Sequence, residues 1–163
     1  MRLKAVPPVP ESADALADAQ QAVGLVPDPE DDCCARIGAR LDAPRDDARE
    51  WLTFLRALGL VRRTDTGFVR TDREPTPEYV RGEFAERVFG AREVLAALDG
   101  GTTAEAAAGA VFPAVPAWER ERREDWRAFY RERAGRLLEW AVLLGLASED
   151  AGEFSPGPAY GEP

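Results

Sequence analysis

The sequence contains no histidine, a single lysine and no long apolar run. Without histidine, neither a His-based general base nor a Ser-His-Asp triad can form, so we do not expect an enzyme. No stretch approaches the roughly 20 apolar residues that span a bilayer. Residues 1–10 also lack the apolar core of a signal peptide. These absences predict a cytoplasmic protein that makes no membrane contact.

Cysteine is almost as scarce, because Cys33 and Cys34 are the only two and are adjacent. Neighbouring side chains on a helix point about 100° apart, so the pair cannot easily share a metal. There is no histidine or third cysteine to complete a zinc site. We therefore expect neither a metal nor another cofactor. Two interpretations stay open for the pair, a vicinal disulfide switch or two small, largely buried side chains.

What the chain does contain is an excess of acid, with 30 acidic and 21 basic residues and a net charge of −9. All basic residues except Lys4 are arginine. This acidic, alanine- and arginine-rich composition resembles proteins of salt-in haloarchaea, whose surface carboxylates maintain solubility. A high-GC bacterium is the alternative source. In the first case the acidity does not exclude a nucleic-acid partner, and in the second it argues against DNA.

One pattern occurs twice at an offset of 86 residues, which pairs Leu58 with Leu144 and Phe68 with Phe154. Each copy reads as an amphipathic helix, a glycine stop and a short hairpin. Apolar residues repeat at helical spacing on the first of these helices, over about 44–58. Two strands, 61–63 and 68–70, then flank a predicted four-residue loop.

The remaining patterns predict further helices over about 12–23, 29–41, 76–99, 103–111 and 118–144. The second hairpin is expected to be shorter and acidic. We divide the chain into an extended lead (1–11), a first domain (12–73), a second domain (74–154) and a disordered tail (155–163). The fold class is mainly α with short β-hairpins, and the second copy has an extended last helix.

The first copy resembles the winged-helix superfamily of transcription regulators, a branch of the helix-turn-helix proteins. The matching residues are the run Leu55 to Val61 and the hairpin Gly67 to Arg70, and the resemblance covers about residues 12–73. The second copy matches only at Leu138 to Leu146 and at Phe154. The resemblance implies a tandem winged-helix protein whose third helix enters the major groove and whose wing contacts phosphates.

Arginines cluster where such a contact would form. Residues 35–73 contain nine arginines against six acidic residues, within an acidic protein. Arginine forks suit guanine edges and phosphates. Asp46 and Glu50 lie near the same helix face and oppose this interpretation, which leaves a solvated helix surface as the alternative. The candidate residues for binding double-stranded DNA are Arg45, Arg49, Thr53 and Arg56 on the helix and Arg62, Arg63 and Arg70 on the wing.

A second cluster lies on the predicted helix at 118–136, where seven arginines interleave with five acids. Four large rings fall within 13 residues, more than one helix of a small domain usually requires. They predict a homodimer or protein-partner contact, and the alternative is an aromatic core face on an exposed helix. The candidate partner residues are Trp118, Trp126, Phe129 and Tyr130.

The function expected first is sequence-specific DNA binding by a transcription regulator. The alternative is a protein-interaction adaptor that does not read DNA. The chain is similar in architecture, acidity and size to tandem winged-helix accessory subunits of chromosome-condensation complexes and of polymerases. The wing separates these hypotheses, because basic residues at 62, 63, 70 and 73 favour DNA, whereas an acidic wing would favour the adaptor.

Overall fold

The computed structural model describes residues 2–161 and divides between Phe89 and Gly90 into two compact units. The first unit begins with an extended lead and continues through helices, a hairpin and a further helix. Its elements are α1 (Asp14–Ala22), α2 (Glu30–Leu41), α3 (Arg45–Ala57), β1 (Val61–Thr64), β2 (Gly67–Arg70) and α4 (Pro77–Arg87). This order is that of a winged helix followed by one extra helix.

The turn between α2 and α3 is short, and it brings the two helices close together. Asp42 ends α2 in the left-handed conformation, and the Ala43 amide donates to the Gly38 carbonyl at 2.9 Å. A Cβ on Gly38 would lie 3.0 Å from the Ala43 carbonyl oxygen. Ala48, fully buried at the start of α3, is small enough for the same contact. The α2–turn–α3 segment is thus a helix-turn-helix, as the sequence predicted.

The hairpin has a third partner that the sequence pattern did not indicate. Asp28 pairs antiparallel with Phe68, and the two residues exchange N–H···O bonds of 3.1 and 2.8 Å. Gly67 permits this approach, since its φ is +147° and a Cβ there would lie 2.1 Å from the Asp28 carbonyl oxygen. The strands are each one residue longer than predicted, because Thr64 pairs with Gly67 and only two residues form the turn.

The predicted helix at 76–99 is wrong, because two helices occupy that range. The first, α4, ends at Arg87, where Val88 is extended and bridges to Leu3 of the lead. Gly90 follows with a φ of +88° and opens the next helix. Apolar spacing continues through this break and so concealed it. Within the lead, the Leu3 amide donates to the Arg87 carbonyl and the Leu3 carbonyl accepts from the Phe89 amide, both at 2.9 Å.

The boundary between the units also differs from the one predicted at 73/74. Helix α4 belongs to the first unit, where the Tyr79 hydroxyl donates to the Leu58 carbonyl at 2.7 Å. The pairing of Leu3 with Val88 ties the other end of α4 to the same unit. The first unit is therefore a winged helix with α4 and the lead added to it.

The second unit is a complete winged helix. It contains α5 (Ala91–Ala97), β3 (Thr102–Thr103), α6 (Ala104–Val111), α7 (Ala117–Arg122), α8 (Trp126–Leu143), β4 (Ala147–Asp150) and β5 (Glu153–Pro156). β5 lies between β3 and β4, as β2 lies between Asp28 and β1. The wing is as long as the first one, which corrects the prediction of a shorter hairpin, and it is acidic as expected.

The predicted helix at 118–144 is interrupted. Arg123 is extended and separates the short helix α7 from α8. α8 has 18 residues against 13 in α3, so the last helix of the second copy is extended, though less than predicted. No glycine or proline lies between Trp118 and Asp125, so the sequence carries no breaker at this point.

The prediction of a disordered tail at 155–163 is wrong for the residues that the structure describes. β5 runs to Pro156, and the Ala159 amide donates to the Gly145 carbonyl at 2.8 Å. Ala159 is buried, and the Tyr160 hydroxyl donates to the Leu95 carbonyl at 3.0 Å. These contacts anchor the tail to the second unit. Glu162 and Pro163 lie outside the described residues.

From residues 45 and 131 onward, the last helix and wing of the two copies correspond residue for residue. Adding 86 to the bounds of β1 and β2 gives those of β4 and β5, and both last helices end at equivalent residues. The Leu60 amide donates to Leu55 at 2.9 Å, and the equivalent Leu146 amide donates to Ala141 at 2.8 Å. The repeat seen in the sequence is therefore a repeat of backbone geometry.

Candidate nucleic-acid interface

The candidate residues on α3 lie on the side of the helix away from the core. Trp51, Leu52 and Leu55 are buried beneath it. Arg45 and Arg49 are exposed, whereas Thr53 and Arg56 are half-buried. The arrangement follows from the helical period, which separates the polar and apolar positions of this segment. The structure thus places the four side chains on one helix face, in the element that would enter a groove.

Acidic residues balance the arginines on the same helix. Asp46 and Asp47 lie in the first turn, where they favour the helix dipole. Together with Glu50 they equal in number the arginines at 45, 49 and 56. Arg45 also pairs with Asp31 of α2 at 2.6 Å, and both side chains are largely exposed. Exposed pairs of this kind contribute about 0–1 kcal/mol, so a phosphate can replace the carboxylate.

The wing carries the net positive charge of this region, but on two faces. Residues opposite each other in an antiparallel pair share a face. Arg63 lies opposite Phe68, and Arg70 lies opposite Val61, so these two arginines are on one face. Arg62 lies opposite Val69 and projects from the other face. The structure therefore brings two of the three predicted wing arginines together, and the third is presented separately.

An exposed apolar pair beside the wing was missed by the sequence reasoning. Leu25 and Val26 are 71% and 74% exposed in the loop before Asp28. The loop is held against β2, because the Arg70 amide donates to the Gly24 carbonyl at 2.8 Å. Arg36 supports it from α2 by pairing with Asp28 at 2.6 Å, and this bond raises the pKa of Arg36. The sequence feature that could have indicated this exposed pair is the position of two apolar residues between Gly24 and Pro27, outside any helical period.

The equivalent surface of the second winged helix has lost most of its cations. The positions of Arg62, Arg63 and Arg70 are taken by Ser148, Glu149 and Pro156. On the helix, the positions of Arg49, Thr53 and Arg56 are taken by Gly135, Glu139 and Val142. Of the seven candidate positions only Arg45 has an arginine as its counterpart, Arg131. The two copies thus share a scaffold and differ in the face that could meet DNA.

The four predicted partner residues are not on one surface. Trp126 and Tyr130 are 8% and 2% exposed and pack in the second unit, which corrects the prediction for these two rings. The Tyr130 hydroxyl donates to Glu119 of α7. Burial is the main cause that raises the pKa of Tyr130, and this hydrogen bond is the second. Trp118 is 57% exposed, and Phe129 is half-buried. A partner contact through Trp118 and Phe129 stays a prediction.

Cys33 and Cys34 are buried free thiols on α2. Burial raises the pKa of both thiols, so little thiolate forms near neutral pH. This state corresponds to the interpretation as small core side chains. Within residues 2–161, no group of His, Cys, Asp and Glu side chains is placed to hold a metal, and no helix is long and apolar enough to cross a membrane.

Residues 1–158 match a protein family described as the halobacterial double winged helix domain. The match covers both copies and nearly the whole chain, which confirms the tandem winged-helix prediction. The description also agrees with the haloarchaeal interpretation of the composition. No curated protein and no solved structure matches the chain.

Proposed function

The chain belongs to the halobacterial double winged helix domain family, and from this premise we propose that its first winged helix binds double-stranded DNA as a cytoplasmic transcription regulator. In this proposal α3 lies in the major groove and the β1–β2 wing contacts phosphates. The observation that carries it is the placement of the wing arginines at 62, 63 and 70, none of which has a basic counterpart in the second copy.

The helix would supply specificity and the wing would supply affinity. Arg49 is exposed, so its fork can reach a guanine edge. Thr53 and Arg56 lie further along the same face. Because α3 has as many acidic residues as arginines, phosphate attraction falls mainly to the wing. At high salt, counterion release contributes little, and direct hydrogen bonds to bases must carry most of the binding.

The test is selection of genomic duplex fragments by the full chain in multi-molar KCl, followed by anisotropy titrations of the selected sequence. Enrichment of a shared short motif supports the proposal. Arg49→Ala should then weaken specific binding by roughly 1–3 kcal/mol. Arg62→Ala/Arg63→Ala should weaken binding to all duplexes about equally and reduce the salt slope by about one per lost phosphate contact.

A matched control is Arg92→Ala/Arg122→Ala, which removes two exposed arginines from the second unit. It changes net charge by the same amount and should leave duplex binding unchanged. If both double variants weaken binding equally, overall charge and not the wing determines affinity. Selection without any enriched motif would argue against sequence-specific regulation.

A protein-interaction adaptor is the second candidate, favoured by the acidic wing of the second copy and by Trp118, which is 57% exposed. Such a partner could be another copy of this chain, contacted through Trp118 and Phe129. Light scattering in multi-molar KCl tests that case. A mass near 17.8 kDa at all concentrations would exclude the homodimer. A dimer that Trp118→Ala dissociates would support it.

A further inference from the structure

We propose that the second winged helix carries a binding site for single-stranded DNA, which we call the α7–α8 surface. It consists of Arg120, Arg123, Arg127 and Arg133 with the rings of Trp126 and Phe129. The segment between α6 and α8 that contributes α7 has no counterpart in the first winged helix, where a short turn joins α2 to α3.

Each of the two rings carries two guanidinium groups. The guanidinium carbons of Arg120 and Arg127 lie 5.0 and 4.6 Å from the centre of the Trp126 ring. Those of Arg123 and Arg133 lie 4.2 and 5.0 Å from the centre of the Phe129 ring. Distances below about 6 Å indicate cation–π attraction. The arginines are thus held in position before any ligand arrives, which lowers the entropy cost of binding.

Two of the stacked arginines, Arg123 and Arg127, keep their donors available. Arg120, Arg123 and Arg127 are exposed. Arg120 also donates to the Phe112 carbonyl at 2.7 Å and to the Val115 carbonyl, which fixes it further. Over residues 2–161, neither Arg123 nor Arg127 is in an ion pair with a carboxylate. A guanidinium plane can stack with a base while its edge donates to a phosphate.

Charge on the rest of the unit favours a single strand over a duplex. A duplex docked on α8 in the usual winged-helix manner would bring phosphates to the wing. That wing carries Glu149, Asp150 and Glu153, all exposed, which would repel them. Glu121 and Glu124 also lie beside the surface, and the arginines of 118–136 outnumber the acids by two. A single strand can follow α7 and α8 without reaching the wing.

Trp118 supplies a further ring for stacking. It lies on α7 and is 57% exposed. Surfaces that combine arginines with aromatic rings are typical of proteins that bind single strands without sequence preference. The inference rests on the proposed function only in the choice of DNA over RNA.

The experiment is an anisotropy titration of the full chain with a labelled oligothymidylate of about 16 nucleotides in multi-molar KCl. Arg123→Ala/Arg127→Ala should weaken binding about tenfold or more, because two stacking positions are lost. Arg123→Lys/Arg127→Lys keeps the charge but removes the planar stack, so it should weaken binding nearly as much. Trp118→Ala should weaken it to a smaller extent. Thermal melting by circular dichroism establishes that each variant is folded.

Arg62→Ala/Arg63→Ala is the matched control, because it removes two arginines from the first unit only. It should leave oligothymidylate binding unchanged and weaken duplex binding, so the two proposals can fail separately. Two results would overturn the α7–α8 site: an Arg123→Lys/Arg127→Lys variant that binds oligothymidylate as tightly as the wild-type chain, or a wild-type chain that does not bind oligothymidylate detectably. Binding of oligouridylate without oligothymidylate would overturn the choice of DNA. An acidic peptide that displaces the oligonucleotide completely at equal concentration would assign the surface to a protein.

Discussion

The two winged helices have nearly the same backbone and almost opposite surfaces. Most residues buried on α3 have buried counterparts on α8, as in the pairs Ala48 and Ala134, and Phe54 and Trp140; Leu58 and Leu144, directly after the helices, are both buried as well. The outer positions of the wing change from arginine to serine, glutamate and proline. Because core positions must fill a fixed space and outer positions need not, only the outer ones are free to change function.

The comparison also separates what the fold requires from what a partner requires. Both last helices are followed by glycines with positive φ, Gly59 at +73° and Gly145 at +80°, because the chain must leave the helix sharply. The wing charges have no such structural reason. Their difference between the copies therefore points to different binding partners.

The largest expected effect is on stability, at equivalent core positions of the two units. Phe54→Ala and Trp140→Ala should each lower the free energy of unfolding of its own unit by about 3–5 kcal/mol, since both rings are fully buried. Denaturation in multi-molar KCl can be followed by tryptophan fluorescence. Trp51 reports on the first unit, because it is the only tryptophan there. Val142→Ala, at an exposed position, is the control. A near-wild-type transition for either ring would show that the two cores are not equivalent.

The next effect concerns a tight contact of the first wing, between Gly67 and Asp28. Gly67→Ala should cost about 3 kcal/mol, because a Cβ collides with the Asp28 carbonyl oxygen and the φ of +147° disfavours any side chain. The equivalent residue of the second wing is Glu153, and Glu153→Ala should change stability by less than about 0.5 kcal/mol. Hydrogen exchange of the Phe68 amide provides a local readout. Equal effects at the two positions would contradict this asymmetry.

The two copies anchor the segment after the wing in different ways. In the first, the buried Gln20 amide donates to the carbonyls of Leu60, Thr71 and Arg73. In the second, the Tyr160 hydroxyl donates to Leu95. Gln20→Met should cost about 2 kcal/mol and Tyr160→Phe about 1 kcal/mol, because more carbonyls lose a donor in the first case. Urea unfolding measures both, and the reverse order would refute this account.

The smallest effect is expected from transferring charge between the wings. Ser148→Arg/Glu149→Arg gives the second wing the first wing's arginines and should strengthen duplex binding by about 0.5–1 kcal/mol, as expected for exposed ionic contacts. Anisotropy over a range of KCl concentrations should show a steeper salt dependence as well. Unchanged affinity and slope would mean that wing charge alone does not distinguish the copies.

Much of the fold could be predicted because helical period and turn residues are local signals. α3 and the first hairpin follow from the spacing of Trp51 and Leu55 and from Gly67. The pairing of Asp28 with Phe68 could not be predicted, because a one-residue strand has no period. The break after α4 is fixed by the distant Leu3, and the break at Arg123 has no local breaker.

The candidate interface was predictable only in part for a similar reason. The exposed arginines of α3 follow from helical spacing, and alternation along β1 would have separated Arg62 from Arg63. The pairing of Arg45 with Asp31 joins two helices and has no signature in either. Burial of Tyr130 depends on α7 packing beside α8, which the prediction of one continuous helix excluded.

The constant spacing of the last helix and wing has a consequence for how such a chain can change. Residues 45–71 and 131–157 keep the same length and corresponding helix, turn and strand hydrogen bonds, and the extra segment lies upstream of α8. Exchange of these stretches between the copies would preserve the register within each hairpin, whereas Glu153 in the place of Gly67 would collide with Asp28. A duplicated gene could therefore recombine within itself, and one half could acquire a new surface while the other kept the original.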